Sequence, residues 1–194
     1  MEITSVRRAF SLIELLVVVG IFTVISTIVL ANHSRFNSSV LLGSLAYDIA
    51  LSVREAQVYG LSVRGVNANF QVGYGVHFAT ANSYILFADT NANKKYDDGT
   101  GSEPADTVVS SYSLSAGHQI SRFCGVTALG AEECSDTSVI DRLDIVFFRP
   151  DPDAVISSAN PGIYSAAHVT VRSSVGETRT ISIASTGQIS VANP

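Results

Sequence analysis

The sequence predicts an α+β protein in which a long N-terminal α-helix, membrane-spanning and then amphipathic, packs on an antiparallel β-sheet or β-sandwich domain. Three observations carry this prediction. Residues 10–31 are apolar except at Ser11, Glu14, Thr23, Ser26 and Thr27; residues 42–56 repeat apolar side chains at three- and four-residue steps; and from residue 70 the apolar period becomes two. A helix followed only by strands gives an α+β layout rather than βαβ units. At 194 residues, the chain beyond its apolar start has the length of one globular domain.

The first element is "FSLIELLVVVGIFTVISTIVLA", residues 10–31. At 1.5 Å per residue it reaches about 33 Å as a helix, enough for the roughly 30 Å hydrocarbon core of a bilayer. Arg7 and Arg8 precede it and only Arg35 follows closely. The positive-inside rule then keeps the N-terminus cytoplasmic and sends the rest outside. The hydroxyls of Thr23, Ser26 and Thr27 fit such a helix because they bond back to the preceding turn. Glu14 is the anomaly, since an ionisable group in lipid is costly without a partner. A plain signal anchor explains the apolar run, and so does a cleavable secretory signal cut before Asn32. The run is longer than the usual apolar region of such a signal, and Glu14 has no place in one.

The second element, within "SSVLLGSLAYDIALSVREAQVYGLSV", places Leu42, Leu45, Ile49, Val53 and Ala56 on one face, with Ala46 and Ala50 beside them. Ser44, Asp48, Ser52, Glu55 and Gln57 face away, and Gly60 is the expected stop. No proline interrupts residues 10–60, so residues 32–60 are expected to continue the first helix. Residues 61–194 then form the β domain. Runs such as "SYILFAD", "DRLDIVFFRP", "AHVTVRSS" and "TRTISIAS" predict six to eight antiparallel strands, with a closing hairpin turning at Thr186-Gly187. Residues 149–162, "RPDPDAVISSANPG", read as an irregular loop.

The net charge of −5 leaves no basic patch broad enough for nucleic acid, so a nucleic-acid partner is disfavoured. Cys124 and Cys134 bracket a short loop; in an exported domain they read as a disulfide, and with no second pair a zinc site is disfavoured. "DTNANKKYDDG" places Asp89, Asn91, Asn93 and Asp97 at the 1, 3, 5, 9 spacing of a calcium loop. Its sixth position is Lys94 rather than glycine and its twelfth is Thr100 rather than glutamate, and an Asn/Asp turn between strands accounts for the same residues. Calcium is thus the one cofactor the sequence raises. His33, His77, His118 and His168 form no ligand spacing, and nucleotide-loop, hydrolase and metalloprotease motifs are missing, so the chain reads as a non-enzyme.

"RRAFSLIELLVVVGIF" resembles the start of type IV pilins and type II secretion pseudopilins: a short basic leader, a small residue, then Phe-Ser/Thr-Leu-Ile-Glu-Leu-Leu. The resemblance implies that residues 1–9 are a leader removed by a prepilin peptidase between Ala9 and Phe10, with methylation of the new Phe10 amine. It also implies that Glu14 meets the N-terminal amine of a neighbouring subunit during fibre assembly, so its charge is neutralised in lipid. Ala9 stands where the family usually has glycine and is small enough for cleavage to be expected; the proline common in major pilins about twenty residues into the mature chain is missing, which weakens a major-pilin reading. The pattern of Arg54, Ala56 and Gly60, with the closing Thr-Gly-x-Ile of residues 186–189, is similar to the GspH/FimT minor-pilin subfamily. The implied partners are other pilin or pseudopilin subunits, the peptidase, an inner-membrane assembly platform and the lipid bilayer. The implied location is the inner membrane, with the β domain outside, and then the fibre. A DNA-uptake role within the family wants a basic cluster that this acidic chain lacks, and a membrane-anchored or secreted binding module is the alternative outside the family.

Overall fold

A computed structural model describes residues 10–66, 69–114, 117–160, 162 and 164–192. The expected leader, residues 1–9, therefore lies outside the described residues. Helix α1 spans Leu12–Leu61. Ser11 and Glu14 close its first turn: the Glu14 amide donates to Ser11 Oγ and the Ser11 amide to Glu14 Oε2, each at 3.3 Å. This is a capping box, satisfying two amides that would otherwise have no helical partner. Thr23 and Thr27 bond back to the carbonyls of Val19 and Thr23 at 2.7 and 2.8 Å.

The chain divides into two compact units, Met1–Ser38 and Ser39–Pro194. In the first, Leu12–Leu30 forms an apolar helical run with none of its length buried. In the second, the α1 stripe of Leu42, Ala46, Ile49, Val53 and Ala56 is wholly buried, as its spacing predicts.

Ten strands follow: β1 (Gly73–Phe78), β2 (Ser83–Asp89), β3 (Thr107–Ser113), β4 (His118–Thr127), β5 (Glu132–Cys134), β6 (Leu143–Phe147), β7 (Ala154–Ser158), β8 (Tyr164–Ser173), β9 (Thr178–Ala184) and β10 (Ile189–Ala192). They form two five-stranded antiparallel sheets, ordered β3-β2-β1-β6-β7 and β10-β9-β8-β4-β5. One core joins the helix stripe to Val76, Phe78, Leu86, Ile145 and Phe147 of the first sheet and Phe123, Val169, Val171, Ile181 and Ile183 of the second. The fold is α+β, with the α1 stripe and both sheets contributing to that core.

Several details differ from the sequence reading. The helix passes through Gly60 to Leu61, and Gly60 is needed for packing rather than termination: a Cβ there would lie 2.3 Å from the Phe147 carbonyl oxygen. Ser52 and Gln57, expected to face solvent, are buried. The Ser52 hydroxyl bonds the Tyr84 hydroxyl at 3.0 Å. The Gln57 amide donates to the carbonyls of Pro152 and Gly187 at 3.0 and 3.2 Å. The expected irregular stretch 149–162 contains β7, and the cysteine loop contains β5. The closing hairpin turns where expected. Gly187 has φ +81°, and a Cβ there would lie 2.3 Å from the Pro152 carbonyl oxygen, so no other residue fits.

Candidate functional site

The N-terminal site is built from the start of α1. Phe10 is 82% exposed, and the apolar side chains from Leu12 to Leu30 lie open on every face of the helix. Such a surface suits lipid or other apolar helices against it. Glu14 sits one turn in, with its carboxylate bonded only to the Ser11 amide and hydroxyl among the described residues. A carboxylate there also lies at the positive end of the helix dipole. Ala9 lies outside the described residues, so the structure describes only Phe10 of the expected cleavage pair. The Ser-x-x-Glu spacing is readable in the sequence as a capping box, a local role for Glu14 beside the contact with a neighbouring subunit that the resemblance implies.

Cys124 and Cys134 face each other in the β4–β5 register and are joined as a disulfide. Their sulfurs and the Glu132 carboxylate form the only three-member cluster of His, Cys, Asp and Glu ligand atoms among the described residues, and the disulfide occupies both sulfurs. Glu132 also accepts a 2.8 Å contact with His168 Nδ1.

The residues of the candidate calcium loop come together in part. Asn91 and Asn93 both donate side-chain N–H groups to Asp97 Oδ2, at 3.0 and 2.5 Å. Asp89 Oδ2 accepts the Lys94 amide at 2.9 Å. The sequence reading missed Asp106, which closes the loop from the far side: its two carboxylate oxygens accept the amides of Thr90 and Asp97 at 2.9 and 3.0 Å. It lies beyond the 89–99 motif, so motif spacing could not have found it. Burial pushes the Asp89 and Asp106 carboxyls above their ordinary range, with the charge of Asp106 adding to the first and that of Asp97 to the second.

The histidines form no ligand spacing in the sequence. His77 instead forms a buried pair with Asp144, Nδ1 to Oδ1 at 2.6 Å, directly across β1 and β6. The Tyr96 ring of the 89–106 segment covers it at 4.6 Å and packs edge-on against Phe87 at 5.2 Å. The pair thus ties that segment to the outer face of the first sheet.

Residues 4–30 match the prokaryotic N-terminal methylation motif. The chain is 36% identical over 93 residues to the pilin-like protein PilA1 of Thermus thermophilus, a match covering 48% of this chain and 55% of that protein. The chain thus spans about half the length of this curated relative. No solved structure matches it. The chain is therefore similar to pilin-like proteins, through a methylation motif over residues 4–30 and an apolar helical run at Leu12–Leu30.

Proposed function

We propose that the chain is a minor pilin or pseudopilin, a structural and non-catalytic subunit of a type IV pilus or type II secretion pseudopilus. In this reading a prepilin peptidase cuts between Ala9 and Phe10, the Phe10 amine is methylated, and residues 10–31 hold the chain in the inner membrane with the β domain outside. An assembly platform then moves it into a fibre of related subunits. The observation that carries the reading is Glu14, a carboxylate one turn into an exposed apolar helix, bonded only to Ser11 among the described residues. In lipid or between apolar helices, an unpaired carboxylate is unfavourable, and the amine of an adjoining subunit supplies the missing positive charge.

Intact mass and N-terminal sequencing of the protein from a host with a working peptidase test this directly. A methylated Phe10 start supports the proposal; a start at Asn32 indicates a secretory signal, a start at Met1 an anchor, and either overturns it. Glu14→Ala is then expected to be processed but left out of fibres. Normal fibres from that variant would remove Glu14 from assembly.

A further inference from the structure

The segment between β2 and β3 folds around its own oxygen atoms. Asn91 Oδ1 accepts the Asn93 amide at 3.1 Å and Asn93 Oδ1 the Lys95 amide at 2.9 Å, while Asp89 Oδ2 accepts the Lys94 amide. An ordinary Asn/Asp turn explains these bonds. It does not explain the other Asp89 oxygen. Asp89 is 3% exposed, and its Oδ1 is buried with no hydrogen-bond partner. Among the described residues, no lysine, arginine or histidine pairs with Asp89, Asp97 or Asp106. The loop's Lys94 ammonium lies 5.0 Å from the centre of the Phe148 ring. A buried carboxylate oxygen without a donor or counter-charge is destabilising, and a bound cation removes that cost.

We propose that this loop binds one calcium ion, with Asp89 Oδ1 and Asp97 as the charged ligands and the side-chain oxygens of Asn91 and Asn93 as neutral ones. Each amide oxygen keeps a second lone pair beyond the backbone bond it accepts. Asp106 positions the loop by holding the Thr90 and Asp97 amides. The donors are all hard oxygens, which suits calcium better than magnesium, whose small octahedral shell is reluctant to lose water. Two carboxylates and two amides make a low charge count, so the affinity belongs with weak extracellular sites, Kd on the order of 10⁻⁴–10⁻³ M. The inference rests on this loop alone and is independent of processing or fibre assembly.

Equilibrium dialysis of the full chain in detergent micelles, paired with thermal melts, tests it with calcium chloride as the probe. One ion per chain is expected to bind saturably, raising Tm on the order of 5–10 °C at a hundredfold excess over Kd, with magnesium giving a smaller shift. Asp89→Asn and Asp97→Asn should weaken binding at least about tenfold, each removing a charged ligand. Asp98→Asn should not, since among the described residues that carboxylate bonds only Thr100. Should Asp89→Asn fail to fold, Asn93→Ala, at an exposed position, reads the same site. Absence of bound calcium at about 10 mM, an equal response to magnesium, or unchanged binding in Asp97→Asn and Asn93→Ala would each overturn the proposal.

Discussion

Ser11 and Glu14 cap the same helix end reciprocally, each accepting the other's backbone amide at 3.3 Å. The residue expected to reach a neighbouring subunit therefore already has a local role. Ser11→Ala removes one half of the box, a change that usually costs a helix about 1 kcal/mol. Amide exchange of residues 12–15 in micelles should speed up roughly fivefold in that variant, since about 1 kcal/mol is a factor of about five. Unchanged exchange would show that the cap contributes nothing in this setting.

Gly60 and Gly43 lie on one helix and should respond oppositely to alanine. At Gly60 the added methyl meets the Phe147 carbonyl; at Gly43 it meets nothing within 4 Å. Gly60→Ala should destabilise by about 1–3 kcal/mol through overpacking. Gly43→Ala should stabilise by up to about 1 kcal/mol through helix propensity. Denaturant midpoints of the two variants check the pair, and a stable Gly60→Ala protein would mean that helix and strand can move apart at no cost.

His77 shields Asp144, which is wholly buried. His77→Ala leaves that carboxylate without its 2.6 Å partner and should cost about 3–5 kcal/mol. The double variant His77→Leu/Asp144→Leu should recover much of the loss, because an apolar pair of similar volume carries no desolvation penalty. Chemical denaturation of both variants decides, and a double variant no better than the single would place the stabilisation in the ring packing with Tyr96.

Asp89 gives the ion-free protein an unusual response to pH. Its folded pKa lies above its ordinary value of 3.8, chiefly through burial. A carboxyl with a raised folded pKa holds its proton more tightly when folded, so its contribution is greatest at low pH and is lost as pH rises through the raised value. In chelator, Asp89→Asn should therefore gain Tm relative to wild type as pH rises from about 4 to about 7. A flat or reversed difference would contradict this.

Much of this architecture was readable because burial repeats at fixed steps: Leu42, Ala46, Ile49, Val53 and Ala56 announce a buried helix face, and the alternation from residue 70 announces sheets. Ser52 and Gln57 were misplaced because polarity argued for solvent, whereas their partners, Tyr84 and the carbonyls of Pro152 and Gly187, come from distant elements. β7 was hidden because Pro150 and Pro152 precede "AVISS" and Pro161 follows it. β5 was hidden because it is three residues long and begins with two glutamates. The Phe10-to-Glu14 motif was legible from its residue types and their order. The closing role of Asp106 was not, because only the fold brings β3's approach beside the end of β2.

The buried stripe from Leu42 to Ala56 has an evolutionary consequence. A recombination joint placed at the first strand would strand both sheets without five of their fully enclosed partners. The exchangeable cassette is therefore the stretch from Ser39 onward, and grafting this domain to a foreign carrier means transplanting the outer half of its helix as well.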